Sequence, residues 1–123
     1  MSNSSKPLMA AGGPFKSTLG HFTISVAAPT SSTSPVTAIV TITSTQNWKG
    51  GVNITYSIQS GSSVAISPSS EQVSIPSNGS VQRGVTLQAY QSEPSVVLEA
   101  FGRNAADTTD THDAFSAAFA LNP

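Results

Sequence analysis

Val36-Thr37-Ala38-Ile39-Val40-Thr41-Ile42-Thr43-Ser44 is the stretch on which the fold turns. Val36, Ala38, Val40 and Ile42 alternate with Thr37, Ile39, Thr41 and Thr43, a period of two that predicts a strand with one face buried. Threonine on the other parity is β-branched, so it suits a pleated surface that faces water. The same pattern continues in both directions. Upstream, Phe22, Ile24 and Val26 alternate with Thr23 and Ser25, and Ala27 to Pro35 is too rich in Pro, Ser and Thr for a strand interior, because proline has no N–H for a ladder. Downstream, Asn47-Trp48-Lys49-Gly50-Gly51 reads as a turn, after which Val52, Ile54, Tyr56 and Ile58 resume the alternation.

Beyond that point the strands shorten. Ser60-Gly61-Ser62 marks a turn, Val64 and Ile66 a strand ended by Pro68, and Val73 and Ile75 a strand closed by Pro76-Ser77-Asn78-Gly79. Val81, Val85, Leu87 and Ala89 share one parity with Arg83 as the exception, which points to a sheet edge or a bulge there. Ser95 to Phe101 is more continuously apolar, as a central strand is. Phe115, Ala117, Phe119 and Leu121 alternate as one closing strand, and the inclusion of Leu121 favours strand over an alanine-rich helix. Seven to nine short strands separated by turn signals predict an all-β, antiparallel β-sandwich with Greek-key connections over residues 18–123. Residues 1–17, rich in Gly, Ser and Pro, are expected to form an extended N-terminal arm.

Composition removes several function classes. Five Lys or Arg against six Asp or Glu leave a net charge of −1 in 123 residues, too little positive charge to bind nucleic acid through its phosphates. No run approaches the ~20 apolar residues of a membrane-spanning helix, so no membrane insertion is expected. The absence of Cys excludes disulfides, a thiol nucleophile and a cysteine zinc site. The 22 Ser and 13 Thr give the look of an exported surface protein. Yet Met1 to Lys16 has no signal peptide, since its longest apolar run is Leu8 to Ala11. The expected location is therefore a virion surface, or an extracellular or cell-surface setting reached without a leader in this chain.

Across Phe22 to Leu121 the chain resembles the bacterial and archaeal immunoglobulin-like repeats of large surface, secreted or virion proteins. The similarity is carried by Phe22-Thr23-Ile24-Ser25, by Val40-Thr41-Ile42-Thr43-Ser44 and by Asn47-Trp48-Lys49-Gly50-Gly51-Val52, where the family commonly has Asn, an aromatic residue, then Gly before Val. Ile66-Ser67-Pro68-Ser69-Ser70 and Val73-Ser74-Ile75-Pro76-Ser77-Asn78-Gly79-Ser80 resemble its middle strands, and His112 through Phe119-Ala120-Leu121 its closing strand. At Glu93-Pro94-Ser95 the chain departs from the Gly-Thr-Tyr often found there. The resemblance implies an immunoglobulin-like β-sandwich and leaves function to specific sites.

Those sites are few. Asp107, Asp110 and Asp113 stand three apart with hydroxyls between them and could offer hard oxygen ligands to Ca²⁺. The segment lacks the Gly and terminal Glu of an EF-hand loop, so it is read as a solvated hairpin loop and no metal or other cofactor is expected. No Gly-x-Ser-x-Gly elbow occurs; His21 and His112 lie near strand starts, and Glu71, Glu93 and Glu99 are scattered without an evident acid–base partner. No catalytic residue is assigned, and the chain is expected not to be an enzyme. Trp48, the only tryptophan, is expected to cap one end of the core or to anchor a partner. The expected role is a non-catalytic structural protein, a virion (capsid) decoration or accessory protein that docks through its arm, with Leu8, Met9 and Phe15 buried on a neighbour. Its partners would be capsid or surface-layer subunits, in a homo-oligomer or lattice. The alternative is a carbohydrate-binding or adhesive module, with Trp48, Tyr56 and Tyr90 stacking on glycan rings.

Overall fold

A computed structural model describes residues 20–123. The expected arm, with Leu8, Met9 and Phe15, lies outside the described residues. Nine strands follow: β1 (Phe22–Ala27), β2 (Val36–Ser44), β3 (Gly50–Ser60), β4 (Val64–Ser67), β5 (Ser70–Ile75), β6 (Ser80–Ala89), β7 (Glu93–Asn104), β8 (Thr111–Phe115) and β9 (Phe119–Leu121). They make two antiparallel sheets, one in the order β1-β2-β6-β4 and one in the order β5-β3-β7-β8, with β9 also paired to β7. The expectation of an all-β chain with two antiparallel sheets is met, at the upper end of the strand count.

The period-two patterns mark the inner faces. Val36, Ala38, Val40 and Ile42 of β2, Val85, Leu87 and Ala89 of β6, Val52, Ile54 and Tyr56 of β3, and Val96, Leu98 and Ala100 of β7 are all buried between the sheets. Full burial of an aliphatic or aromatic side chain of this size contributes about 1.5–3 kcal/mol. Gly102 of β7 also faces inward, and a Cβ there would stand 2.6 Å from Ile24 Cδ1 and 3.1 Å from Phe22 Cε2. The missing side chain lets β1 lay its apolar face directly over β7.

Three sequence readings change. The β2–β3 turn falls on Gln46 and Asn47, both with positive φ, and Gly50 and Gly51 already belong to β3. A left-handed backbone is tolerated by Asn better than by most residues, which locates the turn one step earlier than its glycines suggest. At Arg83 the edge reading holds and the bulge reading does not. The β2–β6 register runs unbroken through Val40↔Arg83, while β4 covers only Thr86 to Ala89 on the other side of β6. Finally, the closing segment is two strands. Ser116 donates its N–H to Leu98 O at 2.8 Å, and its Oγ accepts the Leu98 N–H at 3.0 Å. This inserts extra chain opposite β7 and changes the parity, so Phe115 is 51% exposed while Leu121 is fully buried and Phe119 packs on the core.

Candidate functional site

One end of the two-layer structure gathers His21, Trp48, Asp110 and His112. Here β1 begins, the β2–β3 turn carries Trp48, and the loop between β7 and β8 brings Asp110 beside His112. Asp110 Oδ2 accepts the His21 backbone N–H at 3.2 Å and the Asn104 amide at 3.1 Å, and its Oδ1 lies 2.8 Å from His112 Nε2. Burial alone would raise the Asp110 carboxyl; the bonds from Asn104 and His112, the His112 charge and the His21 N–H outweigh it and hold the group below the usual range. Gly20, with φ of 66°, passes so close that a Cβ would run into His112 Nε2 and Asp110 Oδ1. Thr45 completes the grip, its N–H donating to His21 O at 2.9 Å and its hydroxyl to Gly20 O at 3.1 Å. Gly20 and His21 are therefore held from two sides, by Asp110 of the β7–β8 loop and by Thr45 after β2.

Trp48 belongs to this end. Its indole stacks on the His21 ring with centroids 5.5 Å apart and tilts against Phe22 at 5.9 Å. Phe22, fully buried, meets the His112 ring edge-on at 4.5 Å. Gly50 is required beneath the indole, since a Cβ there would approach Trp48 Cζ2 to 2.5 Å. Trp48 thus caps the core, with one face on His21.

The three aspartates do not converge. Asp107 accepts from the Thr109 N–H at 3.1 Å and the Thr109 hydroxyl at 2.7 Å, a local turn bond of the kind Asp makes without an ion. Asp110 is held as above, and Asp113 points from the outer face of β8 toward Glu99. Among the described residues no group of three His, Asp or Glu is arranged to hold a metal.

The glutamates, which have no evident acid–base partner in the sequence, each accept hydrogen bonds from the fold. Glu71 accepts the Tyr56 hydroxyl at 2.6 Å and Arg83 Nη2 at 2.7 Å. Glu93 accepts the Ser63 N–H at 3.0 Å. Glu99 accepts from Gln59 at 2.7 Å and Ser57 at 3.2 Å and lies beside Asp113; burial first, then the Asp113 hydrogen bond, push its carboxyl up against the opposing Ser57 bond. These partners sit 12 to 42 residues away in sequence, where no local motif signals them. The one available hint was Arg83, a charge on an inward parity. Tyr56 is only 3% exposed, so it is removed from the ring-stacking candidates, whereas Tyr90 is 71% exposed. Neither known protein-family models nor the curated proteins give a match to this chain.

Proposed function

We propose that this chain is a non-catalytic structural protein with an immunoglobulin-like β-sandwich, a decoration or accessory protein of a virion surface that docks through residues 1–17. The immunoglobulin-like reading is supported by strand order: β1-β2-β6-β4 opposite β3-β7-β8 reproduces the ABED and CFG sheets of that fold, with β5 added beside β3. The docking reading rests on one observation, the fastening of Gly20 and His21 by Asp110 and Thr45 beside Trp48. A segment that starts from a rigid anchor transmits load to the domain, and Leu8, Met9 and Phe15 are the apolar side chains it offers a capsid or surface-layer neighbour. The chemically capable groups support a structural role too: both Asp110 oxygens, Glu71 and Glu93 are occupied by donors from the fold itself.

The test is incorporation. Particles and surface layers from the producing organism are probed for the full chain and for a chain lacking residues 1–17. The truncated chain is expected to fold with an unchanged circular dichroism spectrum and to be missing from the particle. Equal incorporation of the two forms refutes anchoring by the arm.

A glycan-binding reading retains one supporting observation, the 71% exposed ring of Tyr90. Glycan-array binding that Tyr90→Ala abolishes favours it; silence of the full chain across the array removes it.

A further inference from the structure

We propose that the outer face of β7 and β8 is the seat of this chain's own N-terminal segment, residues 1–19. On that face Glu99 of β7 pairs in register with Phe115 of β8, and Phe101 with Asp113, so two carboxyls and two phenyl rings hold alternate corners of one patch. Phe115 is 51% exposed, Asp113 is exposed, and Glu99 and Phe101 are half-buried. Glu99 and Asp113 hydrogen-bond to one another, and neither forms an ion pair among the described residues. Arg103, the base on β7, lies over the Phe101 ring at 5.7 Å from its centroid and not on either carboxyl. An acid pair without a counter-ion, framed by rings, takes a partner that is cationic and apolar together, because an ammonium group is attracted by carboxylate and ring face alike.

The N-terminal segment has that chemistry. Lys6 and Lys16, with no Asp or Glu, give residues 1–19 a charge of +2, beside the apolar Leu8, Met9 and Phe15. The rest of the chain holds three bases against six acids, a charge of −3. A small net charge thus hides two parts of opposite sign. Position favours the same contact. Gly20, where the segment meets the domain, stands against His112, one residue before Asp113 on β8. Among the described residues β8 has a strand on one side only, so a free edge separates Gly20 from the outer face. Lys16 is four residues before Gly20, a reach of up to ~14 Å, and Phe115 lies three residues beyond His112, ~10 Å along the strand. A tether this short sets an effective concentration on the order of mM, which favours the segment of the same copy over that of another. The inference goes beyond the assembly reading: it concerns the free chain, from whose patch a neighbour would have to draw the segment, and particle incorporation does not decide it.

Exposed ion pairs contribute little to global stability, so the contact is read from proximity. The chain has no Cys, and Ala10→Cys therefore carries a single nitroxide label. In the full chain the label is expected to broaden the amide signals of Glu99 to Phe101 and Asp113 to Phe115 well beyond those on the outer face of β2. The variant K6E/K16E, which leaves the sequence of the domain unchanged, should reduce that broadening by about threefold or more, as two exposed attractions are lost. The variant E99K/D113K should do the same, with circular dichroism establishing its fold, and all four reversals together should restore the effect. Spin-labelled chain mixed with unlabelled, isotope-enriched chain is expected to leave the enriched signals sharp. Broadening spread evenly over the domain overturns the proposal, as does broadening indifferent to K6E/K16E or a fourfold variant that fails to recover it. Broadening of the patch in the mixture places the segment on another copy and overturns the seat within one chain.

Discussion

Arg83 of β6 and Glu71 of β5 come from opposite sheets and meet across the open side of the sandwich, guanidinium Nη2 to carboxylate Oε1, at 2.7 Å. The pair stands where β6 has lost its β4 neighbour, so charge covers a stretch of ladder that another strand could otherwise join. Tyr56, buried on β3, donates its hydroxyl to the other Glu71 oxygen at 2.6 Å. Burial would raise the Glu71 carboxyl, but the bonds from Arg83 and Tyr56 and the guanidinium charge outweigh it and hold it below the usual range. Burial, and then the bond to Glu71, push the Tyr56 hydroxyl up.

Tyr56→Phe keeps the ring and removes the donor to Glu71. The expected cost at neutral pH is about 1.5–3 kcal/mol, as for a hydrogen bond to a charged group. Because the folded-state value of Glu71 is depressed, its contribution is complete above the ordinary carboxylate range and is lost as pH falls through the folded value. The wild-type and variant urea midpoints should therefore differ at pH 7 and draw together near pH 3. Equal midpoints at pH 7 contradict this account.

Asp110→Ala leaves the His21 N–H and the Asn104 amide without their acceptor. Stability should fall by about 1–3 kcal/mol. Amide exchange should accelerate first at His21 and Phe22, because the start of β1 loses its tie to the β7–β8 loop. Uniform acceleration over all strands would show that the bond does not act locally.

Gly102→Ala forces a methyl group into the space held by Ile24 and Phe22. Overpacking of this kind costs about 1–3 kcal/mol. Ile24→Val removes the Cδ1 that stands 2.6 Å from the added atom, so the double variant should cost less than the sum of the two single changes. Strict additivity in denaturant titrations would place the cost elsewhere.

Asp113→Asn removes a like charge beside Glu99, whose carboxyl is pushed up by burial and then by Asp113. An acid raised in the folded state weakens that state as pH climbs through its folded value and leaves it unaffected below the unfolded one. The variant should gain a few tenths of a kcal/mol at pH 7, with the gain gone near pH 3. A loss at neutral pH would mean that Asp113 is held by something other than this pair.

The alternation of Val36 to Ile42, of Phe22 to Val26 and of Val52 to Ile58 determined by itself that the chain is all-β and which side chains face the core, because a strand's side chains must take opposite faces in turn. The residue types at Asn78 and Gly61 also marked turns, and both take the positive φ that asparagine tolerates and that glycine, with no Cβ, adopts freely. The parity of Phe115 was decided only in three dimensions: one buried serine, whose hydroxyl takes a ladder bond from Leu98, turns that ring outward. Partnership of charges was decided there too. Glu71 with Arg83, Glu99 with Asp113, and Asp110 with His21 are set by which strands lie side by side, and pairing between strands depends on register and on the order in which the sheets assemble, neither of which leaves a mark within the few residues around each carboxylate.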